Sequence, residues 1–157
     1  MESRGAPLSE PSVPRAVPYE GVWRFTAQAV DSAVPQARHA VRDLVRRQRA
    51  PLGDEQLAGL LLITSELVTN AVRHAALLSP QIGVEVALRQ GWVRLSVEDG
   101  HPYRPRALEA DPDSEHTGGR GLLLVKAVVA EWGGTCDVEQ TAAGGKIVWA
   151  ALPLPHR

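Results

Sequence analysis

Glu66 and Asn70 stand four residues apart in the stretch ELVTNAVRHA, residues 66–75. On a helix they share a face, with Arg73 following one turn on and about 60° round. A carboxylate and an amide at that spacing suit a hydrated Mg2+ ion, which keeps several waters and takes few protein ligands. Asn70 would bind the metal and Glu66 would orient or deprotonate an attacking oxygen. The same residues also suit the wet side of an amphipathic helix, where such pairs contribute only ~0.2–0.5 kcal/mol each.

Asp99 ends the segment VRLSVED and shares the parity of Val93, Leu95 and Val97, the core-facing side of a strand. A buried carboxylate is costly unless something pairs with it, and an exocyclic amine such as that of adenine is one suitable donor. Capping of the Gly100-His101-Pro102 turn is the other reading. Downstream, Thr117-Gly118-Gly119-Arg120-Gly121-Leu122 is a glycine-rich loop running into an apolar helix, where free amides and the helix dipole draw phosphate; a merely flexible helix entry is the alternative. No Gly-Lys-Ser/Thr closes it and no strand directly precedes it, which excludes a Walker loop and a dinucleotide fingerprint. The five histidines show no metal-ligand spacing.

These groups need a scaffold, and the periodicities supply one. Trp23, Phe25 and Ala27 alternate with polar residues in a strand over Val22–Ala29. Asp31 or Ser32 could cap a helix over Ala33–Arg49, with Val34, Ala37, Val41, Leu44 and Val45 on one stripe and Arg38, Arg42, Arg46 and Arg49 on another. Asp54 can cap a longer helix in which Leu57, Leu60, Leu61, Thr64, Leu67, Val68, Ala71 and Ala75 recur at three- and four-residue spacing.

Two strands, Ile82–Arg89 and Trp92–Asp99, flank the short Gln90-Gly91 turn of a hairpin. A long polar stretch, 100–119, reads as a lid before the apolar segment Leu122–Trp132. Thr135–Gln140 and Lys146–Leu152 are the last strands, around the turn Ala142–Gly145. The expected fold is α+β, a two-layer sandwich with a mixed, mainly antiparallel sheet and helices on one face. Trp132 and Trp149 are expected in the core or packed on the sheet, His74 as a packed or hydrogen-bonded histidine, and Cys136 as an inert buried thiol.

The chain has 157 residues, 44% of them hydrophobic, enough for one globular domain with a core. A net charge of −1 provides no global field for nucleic acid or an anionic membrane surface. One cysteine excludes an internal disulfide framework, and no leader or membrane-spanning run is visible, so a cytoplasmic protein is expected. The proline-rich residues 1–20 read as a disordered tail and 21–154 as the domain.

Taken in order, Glu66 and Asn70, Asp99-Gly100, Gly119-Arg120-Gly121 and Gly144-Gly145-Lys146 resemble the N-box and glycine boxes of the Bergerat ATP-binding fold. That superfamily includes gyrase-type topoisomerases, sensor histidine kinases and mismatch-repair ATPases. Within it, ELVTNAVRHA, GGRGLLLVKAVVAEWG and GKIVWAALP most resemble the stand-alone anti-sigma factor serine/threonine kinases. The resemblance implies ATP and Mg2+ as cofactors, with Asn70 on the metal, Glu66 as base and Asp99 on the adenine amine. Gly119 and Gly121 would let the loop approach the phosphates. Gly100, Gly118, Arg120 and Leu122 belong to the same nucleotide-contacting boxes, and Arg73 and Thr117 are looser candidates for phosphate contact. Two residues depart from the pattern: His101 replaces a glycine, and Lys146 stands where threonine is frequent. The implied function is phosphorylation of an antagonist protein together with sequestration of a sigma factor, in a protein that can form a homodimer. A non-catalytic, ATP-gated protein-binding module is the alternative.

Overall fold

The computed structural model describes residues 19–75, 80–101 and 120–155. The expected lid falls mostly on 102–119 and the expected tail on 1–18, both outside the described residues.

Strict alternation builds the sheet. Strands β1 (Gly21–Gln28), β2 (Gln81–Arg89), β3 (Trp92–Asp99), β4 (Thr135–Gln140) and β5 (Lys146–Pro153) pair in the order β1-β2-β3-β5-β4. The sheet, expected to be mixed and mainly antiparallel, is antiparallel at every described pairing. Ile82, Val84, Val86 and Leu88 of β2 lie on the same face as Val93, Leu95 and Val97 of β3, and all are buried. Gln90 and Gly91 link these strands with φ of 51° and 79°, the left-handed pair of a tight hairpin turn whose twist matches the strands.

Three helices cover that face: α1 (Ala33–Arg47), α2 (Asp54–Ala75) and α3 (Arg120–Glu131). Helix α2 lies on β2 and β3 and carries α1 on one flank and α3 on the other. Its stripe of Leu60, Ile63, Leu67, Val68 and Ala71 is fully buried; each of the larger side chains stabilises the fold by ~1.5–3 kcal/mol through removal from water. Acidic Asp54 and Glu55 in its first turn and Arg73 in its last complement the helix dipole. Gly59 lets α3's neighbour Trp132 close on the helix, since a Cβ there would lie 3.2 Å from the indole Nε1.

Two expectations at the ends of α1 need correction. Ser32 occupies the N-cap position but makes no side-chain cap bond; its backbone is already helical (φ −65°, ψ −14°), whereas a capping residue takes extended dihedrals. The helix also stops at Arg47, before the expected Arg49, whose φ of 52° turns the chain out of it.

The opposite sheet face carries no described helix. Arg24 pairs with Glu85 there at 3.1 Å, and the Arg94 guanidinium stacks over Trp149 at 4.4 Å from the ring centroid. Trp149 is thus a sheet-packing residue on the outer face, while Trp132 packs against the core. Cys136 is half-buried in β4, and burial raises its thiol above its ordinary pKa, which keeps it protonated and unreactive.

Candidate functional site

Helix α2 is the spine of the site. Glu66, Asn70 and His74 recur every four residues, so they line up along one side of it, all half-buried. Leu67, Ala71 and Ala75, one position further round, are core residues that hold this row in place. Arg73 is exposed and lies off the row.

At the Glu66 end the row meets the first turn of α3. A methyl group on Gly121 would collide with the Glu66 carboxylate, so the helix entry approaches this acid with bare backbone. A carboxylate against a helix N-terminus is favourable because the free amides carry partial positive charge. The α3 entry and the ELVTNAVRHA helix, 54 residues apart between Glu66 and Arg120, therefore converge. Leu122 points into the core and is 3% exposed, so it supports the turn from beneath. Thr117, Gly118 and Gly119 lie outside the described residues, and Arg120 is described only as the first residue of α3.

At the other end the row meets the tip of β3. Asp99 is buried on the helix-covered face, as its strand parity requires, and Gly100 is exposed just beyond it. Its partner is Lys146, the first residue of β5 and its register neighbour. The two side chains are each 1% exposed, with Lys146 Nζ 3.0 Å from Asp99 Oδ2. Nζ donates to Asp99 Oδ1 at 3.1 Å and contacts His74 Nδ1 at 3.1 Å; its approach to the His101 carbonyl, 3.5 Å, is longer. Asp99 Oδ1 also accepts from the His101 amide at 2.8 Å. Although Oδ2 is close to Nζ, it makes no aligned hydrogen bond and keeps unspent accepting capacity.

This network sets the state of His74. Burial and then the Lys146 ammonium hold its imidazole below the ordinary pKa, against the opposing pull of Asp99. Since an ammonium has only donors, Nδ1 must accept, which assigns the proton of the neutral ring to Nε2. The ring stacks obliquely on His101, with centroids 5.5 Å apart.

The residues fit a nucleotide with its cation in three respects. The Asn70 amide has a buried Nδ2 donor without a protein partner among the described residues, which suits a phosphate oxygen and leaves Oδ1 for a cation. Asp99 retains an acceptor at Oδ2. Gly145 packs so tightly on the backbone of Asp99 and Gly100 that a Cβ there would overlap the Asp99 carbonyl, which fixes the acid against β5.

Sequence reasoning placed Glu66, Asn70, Asp99 and Gly121, and the structure brings them along one side of α2. It missed Lys146 and His74 as members of the cluster. The signal was present: Lys146 shares parity with Val148, Ala150 and Leu152, and His74 continues the four-residue row.

The family described as histidine kinase-like ATPase domain matches residues 27–152. Among solved structures, the chain is similar to the RsbU and RsbW domains of Rv1364c from Mycobacterium tuberculosis, at 24% identity and a TM-score of 0.62, covering 87% of this chain and 33% of that one. It is similar to full-length ShkA in complex with AMPPNP, at 20% identity and a TM-score of 0.55, over 84% of this chain and 32% of that one. The catalytic domain of histidine kinase ThkA matches at 16% identity and a TM-score of 0.52, over 84% of this chain and 97% of that one. The chain thus spans about a third of the length of the first two. No curated protein matches it. No described helix is long and apolar enough to cross a membrane.

Proposed function

We propose a function from one premise: this chain belongs to the histidine kinase-like ATPase family. Within it, the chain is an ATP-binding protein serine/threonine kinase of the anti-sigma factor type, which phosphorylates an antagonist protein and sequesters a sigma factor. The observation that carries the reading is the row Glu66, Asn70, His74, with the glycine entry of α3 at one end and buried Asp99 at the other. The motif resemblance and the likeness to a structure containing an RsbW domain support the partner class.

The roles follow from the chemistry of each group. Asp99 accepts a donor from the base through Oδ2. Asn70 holds a divalent cation through its side-chain oxygen; that cation, when bound, supplies charge neutralisation at the phosphates. Glu66 takes the proton of the attacking hydroxyl, a role supported by its half-buried carboxylate one turn from Asn70 on the same side of the helix. The bare backbone at Gly121 gives the phosphates access to the amides of the α3 entry. Catalysis here is positioning and electrostatic stabilisation, with no covalent intermediate.

Incubation of the protein with radiolabelled ATP, Mg2+ and candidate antagonist proteins tests this, with wild type set beside Glu66→Ala. Label on the antagonist that disappears in the variant while nucleotide affinity persists supports the kinase. Nucleotide-dependent partner binding without any label would instead make the protein an ATP-gated binding module.

A further inference from the structure

A lysine in a protein interior is unusual, and Lys146 is among the largest fully buried side chains of this one. It sits on the carboxylate that the proposed function uses to read the base. Resting on that reading, we infer that Lys146 is a specificity-determining residue that opens the base pocket to 6-oxopurine nucleotides, those of guanine and hypoxanthine, as well as to ATP.

Recognition of the base turns on donors and acceptors. A lone carboxylate only accepts: it matches the N6 amine of adenine and repels the O6 carbonyl of a 6-oxopurine, so by itself it excludes that class. Here an ammonium straddles the same carboxylate, 3.0 Å from Oδ2 and 3.1 Å from Oδ1. The pair cancels the repulsion and sets a donor beside an acceptor. Adenine meets it with its amine on Asp99 and its N7 acceptor toward Lys146. A 6-oxopurine meets it one position along, with N1–H on Asp99 and O6, the stronger acceptor, on Lys146.

Both groups have capacity for this. Asp99 Oδ2 makes no hydrogen bond among the described residues. Of the contacts of Nζ, the one to the His101 carbonyl is the longest, 3.5 Å against 3.1 Å for Asp99 and His74, so it is the one a ligand carbonyl displaces most cheaply. The Asp99 and His74 contacts meanwhile hold Nζ in place, which limits the entropy lost on binding.

Calorimetry with ATP, GTP and ITP in the presence of Mg2+ tests the inference on the full chain. The wild type is expected to bind GTP and ITP within about tenfold of ATP. Lys146→Met, which keeps length without charge, should weaken GTP and ITP by roughly tenfold or more relative to ATP, as expected for loss of one base-edge pairing. ITP lacks the 2-amino group, so retention of GTP alone would place the contact elsewhere and overturn the role of Lys146. That role is equally overturned if the wild type binds ATP and rejects both others, or if the variant shifts all three equally. The wild-type profile decides even if Lys146→Met fails to fold. Binding of no nucleotide at all would remove the proposed function together with this inference.

Discussion

Gly144 and Gly145 are neighbours in the turn before β5, yet a substitution at each should fail for a different reason. Gly144 has a φ of 87° and nothing within 4 Å of where a Cβ would stand. Gly145 is not in that positive-φ region, but a Cβ there would overlap the Asp99 carbonyl and crowd the Gly100 Cα at 3.0 Å. Both of those atoms are backbone and cannot rotate away, so β3 and β5 would have to part. Gly145→Ala is therefore an overpacking change, expected to cost ~1–3 kcal/mol. At this chain length that is a fall in Tm of about 2–12 °C. Gly144→Ala should cost ~1–2 kcal/mol through its backbone conformation alone. Asparagine, which tolerates that conformation, should recover most of the loss at 144 and none at 145. Thermal denaturation of the four single variants followed by circular dichroism reads this out. Since Gly145 abuts the main chain of Asp99, its alanine variant should also weaken nucleotide binding, whereas Gly144→Asn should not. A Gly145→Ala protein as stable as wild type, or an asparagine rescue at 145, would refute the steric account.

Other expected outcomes can be measured alongside. Gly121→Ala pushes on the free end of the Glu66 side chain, which can swing aside, so the Tm should move by less than about 1 kcal/mol's worth while phosphoryl transfer falls by ~10²-fold or more, the usual value of a positioned base. His74 is held below its ordinary value near 6.5 by burial and Lys146, with His101 and Arg73 acting in the same sense and Asp99 against. The unfolded chain thus takes up the proton first, and the contribution is fully present above pH 6.5 and lost as pH falls toward the folded-state value. Acidification from about pH 7.5 to 5.5 should lower the Tm of wild type more than that of His74→Asn; equal slopes would remove His74 from the account. Arg94→Ala loses a partly exposed stack on Trp149 and should cost only ~0.5–1 kcal/mol in chemical denaturation, with nucleotide affinity unchanged.

The elements were legible wherever one periodicity ruled a segment. The leucine stripe of α2 and the alternation of β2 and β3 each have a single buried face, and β3 and β4 match their expected spans. What adjacency in sequence does not reveal is who pairs with whom. Nothing local indicates that β5 enters between β3 and β4, because that order joins strands that do not follow one another in sequence. Asp99 was recognisable as buried from its parity, yet its partner lies 47 residues away and depends on that insertion. Lys146 was visible only as a departure from the motif, and its pairing with Asp99 was not, because a lysine at a strand start ordinarily reaches water; the register opposite Asp99 prevents it. Glu66 and Asn70 were readable from spacing alone, whereas the contact of Gly121 with Glu66 required the packing of α3 on α2.

The insertion of β5 has a consequence for how the chain is made. β4 hydrogen-bonds to no strand other than β5 among the described residues, and β3 has a free edge until β5 arrives. During synthesis on the ribosome, then, the β2–β3 hairpin can close early while β4 waits as an unzipped ribbon. Only when the stretch from Lys146 onward clears the exit tunnel can β3, β5 and β4 lock together and the Asp99 carboxylate acquire its cation. A nascent chain stalled before that point presents the unpaired edges of β3 and β4 to whatever chaperone or neighbouring chain it meets.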